Sequence, residues 1–457
     1  MTRALIALVL FASPAAARPP NIVFVLADDL GYGDLGCFGQ TRIRTPHLDR
    51  LAKDGVRFTQ CYAGSTVCAP SRCALMTGLH TGHCRVRGNG GGGGPRANVP
   101  LRPDDPCVAE VLRRAGYATA LVGKWGLGEE GSVGVPTRKG FDHFFGYLNQ
   151  HHAHNYYPDF LWRGTVREPV ANPQSATENV AARFAHYAPD LLREDALRFI
   201  TANKDRPFFL YFATTAPHAN NERTRATGEG NEVPSDAPYT AEPWPQAEKN
   251  KAAMITRMDA DVGALLARLR ELGLEQNTLV IFSSDNGPHR EGGNDPAFFR
   301  SSGPFRGIKR ALTDGGIRVP AIARWPGTIR PGTTSDHVWA FWDFLPTACD
   351  VAGVPSPAGL DGLSIAPTLT GRGEQRRHDF LYWEFHEGGF RQAVRHGPWK
   401  AIRQAPGAAL ELYDVTTDPG EARDVAAANP DVVARVEAYL RTARTESVEF
   451  PIRPAKK

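Results

Sequence analysis

With 457 residues the chain is too long for one small domain and long enough for a large α/β unit plus a smaller appendage. Hydrophobic residues at 42% and charged residues at 22% exclude a disordered or low-complexity chain. The 53 basic and 49 acidic residues leave a net charge of +4 with no Lys/Arg block, so nothing argues for a nucleic-acid partner.

The N-terminus, MTRALIALVLFASPAAARPP, has Arg3, an apolar run from Ala4 to Ala12, and then Ala15-Ala16-Ala17. This pattern predicts a signal peptide over residues 1–17, cleaved near Ala17, and hence a secreted or periplasmic protein. Pro14, Pro19 and Pro20 disfavour a buried helix there. The apolar run is too short to span a bilayer, and no later segment has the length of a transmembrane anchor.

Further along, four apolar, β-rich runs each end on chemically capable residues. NIVFVLADD leads to Asp28 and Asp29. YATALVGKW carries Lys124, PFFLYFATTAPH ends on His218, and NTLVIFSSDNG leads to Asp285 and Asn286. Such near-continuous runs suit central strands covered on both faces. Helical patterns lie between them: Pro106 to Ala115, stopped by Gly116; Asp190 to Ala202; and AAMITRMDADVGALLARLRELG, stopped by Gly273. The alternation predicts an α/β fold, a large, mostly parallel sheet sandwiched by helices. Ligands bind such sheets beyond the carboxyl ends of the strands, so the four runs predict one site assembled from distant sequence.

Two stretches read as loops. Val86 to Pro100 is too Gly-rich for an element interior and lacks the Lys-Ser/Thr ending of a phosphate loop. The polar excursion after His218, NNERTRATGEGNEVPSDAPYTAEPWP, has the length of a lid or substrate-facing wall. Composition shifts near Pro357. DFLYWEF, QAVRHGPWKAIR and LELYDVTTDPGE predict short antiparallel strands, and PDVVARVEAYLRTAR predicts an amphipathic helix. The expected division is a catalytic domain over 18–357 and a C-terminal α+β subdomain over 358–457.

Seven cysteines are present: Cys37, Cys61, Cys68, Cys73, Cys84, Cys107 and Cys349. Export permits disulfides, and an odd number leaves one spare, for which Cys68 is the candidate. Cys68 begins the stretch CAPSRCALMTG. Pro70 suits a first helical turn and Gly78 a stop, which puts Cys68 at a helix N-terminus, where a thiolate would have a lowered pKa. Arg72, one turn on, is placed to hold an oxyanion or a modified side chain. Asp28, Asp29, Asp285 and Asn286 are four hard oxygen donors at two strand ends. Three carboxylates so packed would repel without a cation between them, and all-oxygen ligation favours Ca²⁺ or Mg²⁺.

Cys-x-Pro-Ser-Arg, followed by four residues and Thr-Gly, resembles the signature of type I sulfatases, arylsulfatase-like members of the alkaline phosphatase superfamily. ADDLGYGDLGCFG, GKWGLG, TTAPH, SSDNG and RGIKRALTDGGIRVP resemble that family's other motifs, in order. ELYDVTTDPGEARDV extends the resemblance to about Asp424. The resemblance implies an alkaline-phosphatase-like fold and hydrolysis of a sulfate ester. It implies that a formylglycine-generating enzyme converts Cys68 to Cα-formylglycine, whose hydrate attacks sulfur. Asp28, Asp29, Asp285 and Asn286 would hold Ca²⁺. Lys124 and Lys309 would bind sulfate oxygens, His218 would protonate the leaving alcohol, and Arg72 would anchor residue 68. By analogy with secreted relatives the substrate is a sulfated saccharide. A phosphate or phosphonate ester hydrolase on the same scaffold is the alternative reading, and an inactive relative with unmodified Cys68 is the non-enzymatic one. In one place the chain departs from the family: many relatives read Gly-Lys-Trp-His where Gly126 stands here, so the base that serves the hydrate is open. NQHHAHNYY offers His151, His152 and His154 as substrate-binding residues, with His152 or His154 contacting the hydrate or a sugar hydroxyl. His80 is a further candidate.

Overall fold

The computed structural model describes residues 18–89 and 99–452. The expected signal peptide and most of the Gly-rich loop lie outside the described residues. Fifteen strands are formed in chain order: β1 Asn21–Ala27, β2 Val56–Tyr62, β3 Ala118–Lys124, β4 His143–Tyr147, β5 Phe160–Arg163, β6 Val166–Pro169, β7 Phe208–Ala213, β8 Thr278–Ser284, β9 Arg318–Arg324, β10 Thr333–Ser335, β11 Trp339–Ala340, β12 Leu381–Phe385, β13 Arg391–His396, β14 Trp399–Arg403 and β15 Glu411–Asp414.

The large sheet runs β10-β2-β9-β8-β1-β7-β3-β4-β5-β6, with β11 also paired to β2. Its centre, β8-β1-β7-β3-β4, is parallel throughout. The four apolar runs of the sequence are therefore the four neighbouring strands β8, β1, β7 and β3. Their side chains alternate between two cores. Ile22, Phe24 and Leu26 enter one, and Val23, Val25 and Ala27 enter the other. Helices Val108–Arg114 and Phe344–Ala352 meet in the first, and Ala188–Ala202 and Gln246–Glu271 in the second. Burial on both faces is what removes polar alternation from these strands.

Strands β12 to β15 form a separate antiparallel sheet. Leu381, Trp383 and Phe385 pack with Tyr62, Val67 and Ala74, while Tyr382 and Leu412 face the helix Pro430–Leu440. Trp383 Nε1 donates to the Ala63 carbonyl at 2.9 Å, and Lys400 Nζ donates to Asp314 Oδ1 at 2.9 Å. The small sheet thus buttresses residues 62–74, the segment that leads into Cys68.

The structure corrects the disulfide expectation. All seven cysteines are free thiols, so an odd number singles out none of them. The polar excursion after His218 also carries structure of its own, the helix Asn221–Thr227, whose N-cap Asn220 accepts a hydrogen bond from the Arg223 amide.

Candidate active site

The carboxyl ends of β1, β8, β7 and β3 deliver Asp28-Asp29, Asp285-Asn286, His218 and Lys124 to one place, as parallel strands must when their register is shared. Backbone bonds tie these ends together: the Asp28 amide donates to Ala216 and the Asp285 amide to Ala27. Asp29 adopts a left-handed conformation (φ 65°), tolerable for Asp, and its amide donates to Asp285 Oδ1 at 3.1 Å.

Cys68 is the first residue of the helix Cys68–Thr77, which Gly78 ends in the left-handed region (φ 72°). The thiol donates to Asp28 Oδ1 at 3.4 Å. Ligand atoms of Asp28, Asp29, Cys68 and His218 lie within 4.8 Å of one another. Lys124 Nζ donates to Asp28 Oδ2 at 2.6 Å and Lys309 Nζ to Asp29 Oδ2 at 2.8 Å. Arg72 donates twice to Asp285 Oδ2, at 2.8 and 3.1 Å, and once to the Lys124 carbonyl at 2.8 Å. Arg72 therefore fastens β3 to β8 beneath residue 68. Each of the three carboxylates faces a side-chain cation, Lys124, Lys309 or Arg72, which offsets part of their mutual repulsion.

The electrostatics follow from burial opposed by charge. Burial would raise the Asp28 carboxyl, but Lys124, His218, Arg72 and Lys309 hold it well below the usual range. Burial and the neighbouring Asp28 push Asp285 up to about 7 against the pull of Arg72. Burial lowers Lys124 and Lys309, yet Asp28 and Asp29 outweigh it and keep both amines charged. Burial and Lys309 bring His218 down to about 3. Its Nδ1 donates to the Ala219 carbonyl, so Nε2, 3.2 Å from Lys309 Nζ, is the acceptor. The lowered thiol expected for Cys68 is reversed: burial and Asp28 raise it well above the ordinary value. A buried thiol beside a carboxylate stays protonated, which removes thiolate chemistry from this centre.

The oxygen cluster fits a cation. Among the described residues Asn286 Oδ1 is buried without a hydrogen-bond partner, while Asn286 Nδ2 donates to Asp29 Oδ1 at 2.6 Å. An unsatisfied buried acceptor beside the carboxylates of Asp28, Asp29 and Asp285 suits a hard ion such as Ca²⁺.

The histidines separate. His154 stacks on His218, with centroids 4.8 Å apart, and belongs to the site. His151 is half exposed at the rim, 3.6 Å from Glu222. His152 is turned away, stacked on Phe160 and edge-on to Tyr147, which corrects its expected place in the pocket. His80 is corrected too. It lies past the far end of a ten-residue helix, about 15 Å along the axis from Cys68, packed on His83 and Tyr382 beside Asp361. Gly126 takes a left-handed turn (φ 81°), and a Cβ there would stand 2.1 Å from Gln150 Nε2. The Gln150 amide, buried and without hydrogen-bond partners among the described residues, fills that space, and an amide is no base. Gly126→His is accordingly expected to destabilise the protein by about 1–2 kcal/mol through the left-handed backbone alone, measured as a lower urea midpoint; an unchanged midpoint would refute this.

Motif reading missed three residues, Glu291, Asn89 and Glu222. Glu291 Oε2 lies 3.1 Å from Lys309 Nζ, and Glu291 Oε1 accepts from Arg310 at 2.8 Å. Asn89 Oδ1 accepts from the Ala69 amide at 2.9 Å. Glu222 accepts from His154. Glu291 and Glu222 follow soon after SSDNG and His218, and that nearness was the only signal available.

Residues 20–354 match the family model "Sulfatase", and residues 306–446 match "N-sulphoglucosamine sulphohydrolase, C-terminal". The chain is 34% identical to arylsulfatase A of Homo sapiens over 93% of its own length and 88% of that protein's. It is 28% identical to N-acetylgalactosamine-6-O-sulfatase of Bacteroides thetaiotaomicron, over 94% of both chains. Among solved structures, Ps i-CgsB in complex with k-i-k-neocarrahexaose superposes with a TM-score of 0.78 at 26% identity, covering 93% of each chain. With its parallel-sheet site and these matches, the chain belongs to the sulfatase family, the sulfuric ester hydrolases of the alkaline phosphatase superfamily.

Proposed function

We propose that this sulfatase hydrolyses a sulfate ester on a sulfated carbohydrate, with residue 68 acting as a formylglycine hydrate and Ca²⁺ as the metal. The observation that carries the reading is the position of residue 68, at a helix N-terminus and within 4.8 Å of Asp28, Asp29 and His218 atoms. Relatives support the substrate class: one is an N-acetylgalactosamine-6-O-sulfatase, and one solved neighbour holds a neocarrahexaose. The proposal includes export after cleavage near Ala17, maturation by a formylglycine-generating enzyme, and a division into units 18–357 and 358–457. Among the described residues no helix is long and apolar enough to cross a membrane.

Asp28, Asp29, Asp285 and Asn286 would hold Ca²⁺, which supplies Lewis acidity toward a sulfate oxygen. The hydrate supplies two hydroxyls at one carbon, one to attack sulfur and one whose deprotonation expels sulfate and restores the aldehyde. Lys124 and Lys309 are charged at every relevant pH and face the centre, placed to bind the remaining sulfate oxygens and stabilise developing charge. Among the described residues, Asp28 Oδ1 accepts a hydrogen bond from the residue-68 side chain and so orients it. The proton that the leaving alcohol needs is held by Lys309, whose Nζ donates to His218 Nε2 at 3.2 Å, and the neutral His218 is placed to pass it on. Arg72 keeps Asp285 and the end of β3 in place. His151 and His154 line the outer wall.

Mass spectrometry of the peptide containing residue 68, from active protein, tests this reading. The expected peptide has lost one sulfur and two hydrogens and gained one oxygen, or is the hydrate of that product. Thiol alone in active enzyme would overturn the mechanism. Matched sulfate and phosphate esters decide against the phosphate or phosphonate alternative if the sulfate is preferred. Calcium at about a hundred times its dissociation constant is expected to raise stability by about 2.7 kcal/mol, and chelation to reverse it. A melting temperature indifferent to both would count against the metal.

A further inference from the structure

Four imidazoles run from the floor of the site to its rim. His289 and His154 both stack on His218, at 5.8 and 4.8 Å, and His151 lies 5.9 Å beyond His154. Side-chain exposure rises along the series, from 0% at His289 and 3% at His218 to 14% at His154 and 50% at His151. Residue 68 belongs to the buried end, with His218. The outer end is the more exposed one, and the alcohol of an ester cleaved at residue 68 leaves toward solvent.

His154 is held unlike the others. Its Nδ1 lies 2.9 Å from Glu222 Oε2. A carboxylate only accepts, so Nδ1 carries the proton and Nε2 keeps its lone pair. Among the described residues Nε2 has no hydrogen-bond partner. Glu222 is itself fixed. It stands in the first turn of the helix Asn221–Thr227, and Asn179 Nδ2 donates to it at 3.2 Å and Arg225 at 2.7 Å. Burial would raise its carboxyl, but His154 and Asn179 hold it down at about 2, so it stays an anion. A carboxylate that orients one ring nitrogen and presents the other is an arrangement for hydrogen bonding to a ligand, whereas a histidine that merely fills space has no need of a free Nε2.

We infer that Glu222 and His154 form a hydroxyl-reading dyad for the leaving saccharide: His154 Nε2 accepts a hydrogen bond from a ring hydroxyl beside the ester, and Glu222 is the positioning residue that sets the tautomer. The inference rests on the sulfate-ester reading of the site. It accounts for a sugar-specific wall built on the polar excursion after His218, and it assigns a role to the histidine-rich segment apart from the chemistry at sulfur.

The test compares galactose and N-acetylgalactosamine, each sulfated at its primary hydroxyl, with para-nitrophenyl sulfate, which has no hydroxyl beside the ester. His154→Ala is expected to lower kcat/KM on the sugars about 10- to 100-fold, chiefly through KM, and to lower it distinctly less on the aryl ester, which loses only the stacking on His218. Glu222→Gln is expected to act in the same direction, by about tenfold. His154→Gln, which restores an acceptor, is expected to recover part of the loss. Equal losses on both ester types, with or without a lower melting temperature, would show the pair to be structural or part of the chemistry and would overturn the inference. Undiminished sugar turnover in His154→Ala would overturn it too, as would a parent enzyme that cleaves the aryl ester and neither sugar. A parent that cleaves no sulfate ester would instead fail the underlying reading, and is told apart by that result alone.

Discussion

Changing Cys68 to alanine is expected to abolish turnover and leave the fold standing. The side chain is small and buried at the start of its helix, and its one polar contact is the long bond to Asp28. Its loss removes few packing contacts, at a cost of about 1 kcal/mol. On the proposed mechanism the nucleophile has no substitute: the surrounding Arg72, Lys124, Lys309, Asp28, Asp29 and Asp285 bind and polarise but form no covalent adduct. Loss of a nucleophile commonly costs on the order of a millionfold in kcat. Turnover of an aryl sulfate read beside a thermal melt checks both halves. Activity within tenfold of the parent would sink the assignment of residue 68, and a collapsed melt would show that the site is also a structural keystone.

Arg72→Ala is expected to cost far more stability. The guanidinium is fully buried and makes three bonds, two to Asp285 and one to the Lys124 carbonyl. Removing it strands a carboxylate that burial already pushes toward protonation, and frees the end of β3 from β8. Breaking one side of a buried pair typically costs about 3–5 kcal/mol. Arg72→Lys is expected to recover only part, because a single ammonium cannot reproduce the fork that spans a carboxylate and a carbonyl. Urea unfolding measures it; a loss below about 1 kcal/mol in the alanine variant would contradict the bridging role.

The central sheet was legible because its signal is local. Runs such as NIVFVLA and TLVIFSS are apolar on successive residues, and only strands buried on both faces require that. Polar residues after each run then had to meet, since parallel neighbours in register put their carboxyl ends side by side. The start of the helix at Cys68 and its stop at Gly78 were legible for the same reason: the chemistry of Pro70 and Gly78 acts within one turn.

What the linear chain could not reveal depends on distance and burial. His80, His152 and His154 look alike in sequence, yet a stop at Gly78 carries the first away, Phe160 and Tyr147 hold the second, and only the third reaches His218. The thiol of Cys68 is raised rather than lowered because it is buried and because Asp28, forty residues away in sequence, lies against it. Gln150 fills the gap at Gly126, and Glu222 orients His154, through contacts that no spacing rule anticipates. Residue types and short-range pattern were enough for the family, the sheet and the polar strand ends that meet in one place. Which side chains share the cleft, and in what protonation state, was decided by tertiary packing, because desolvation and Coulomb interaction depend on separations in space and not along the chain.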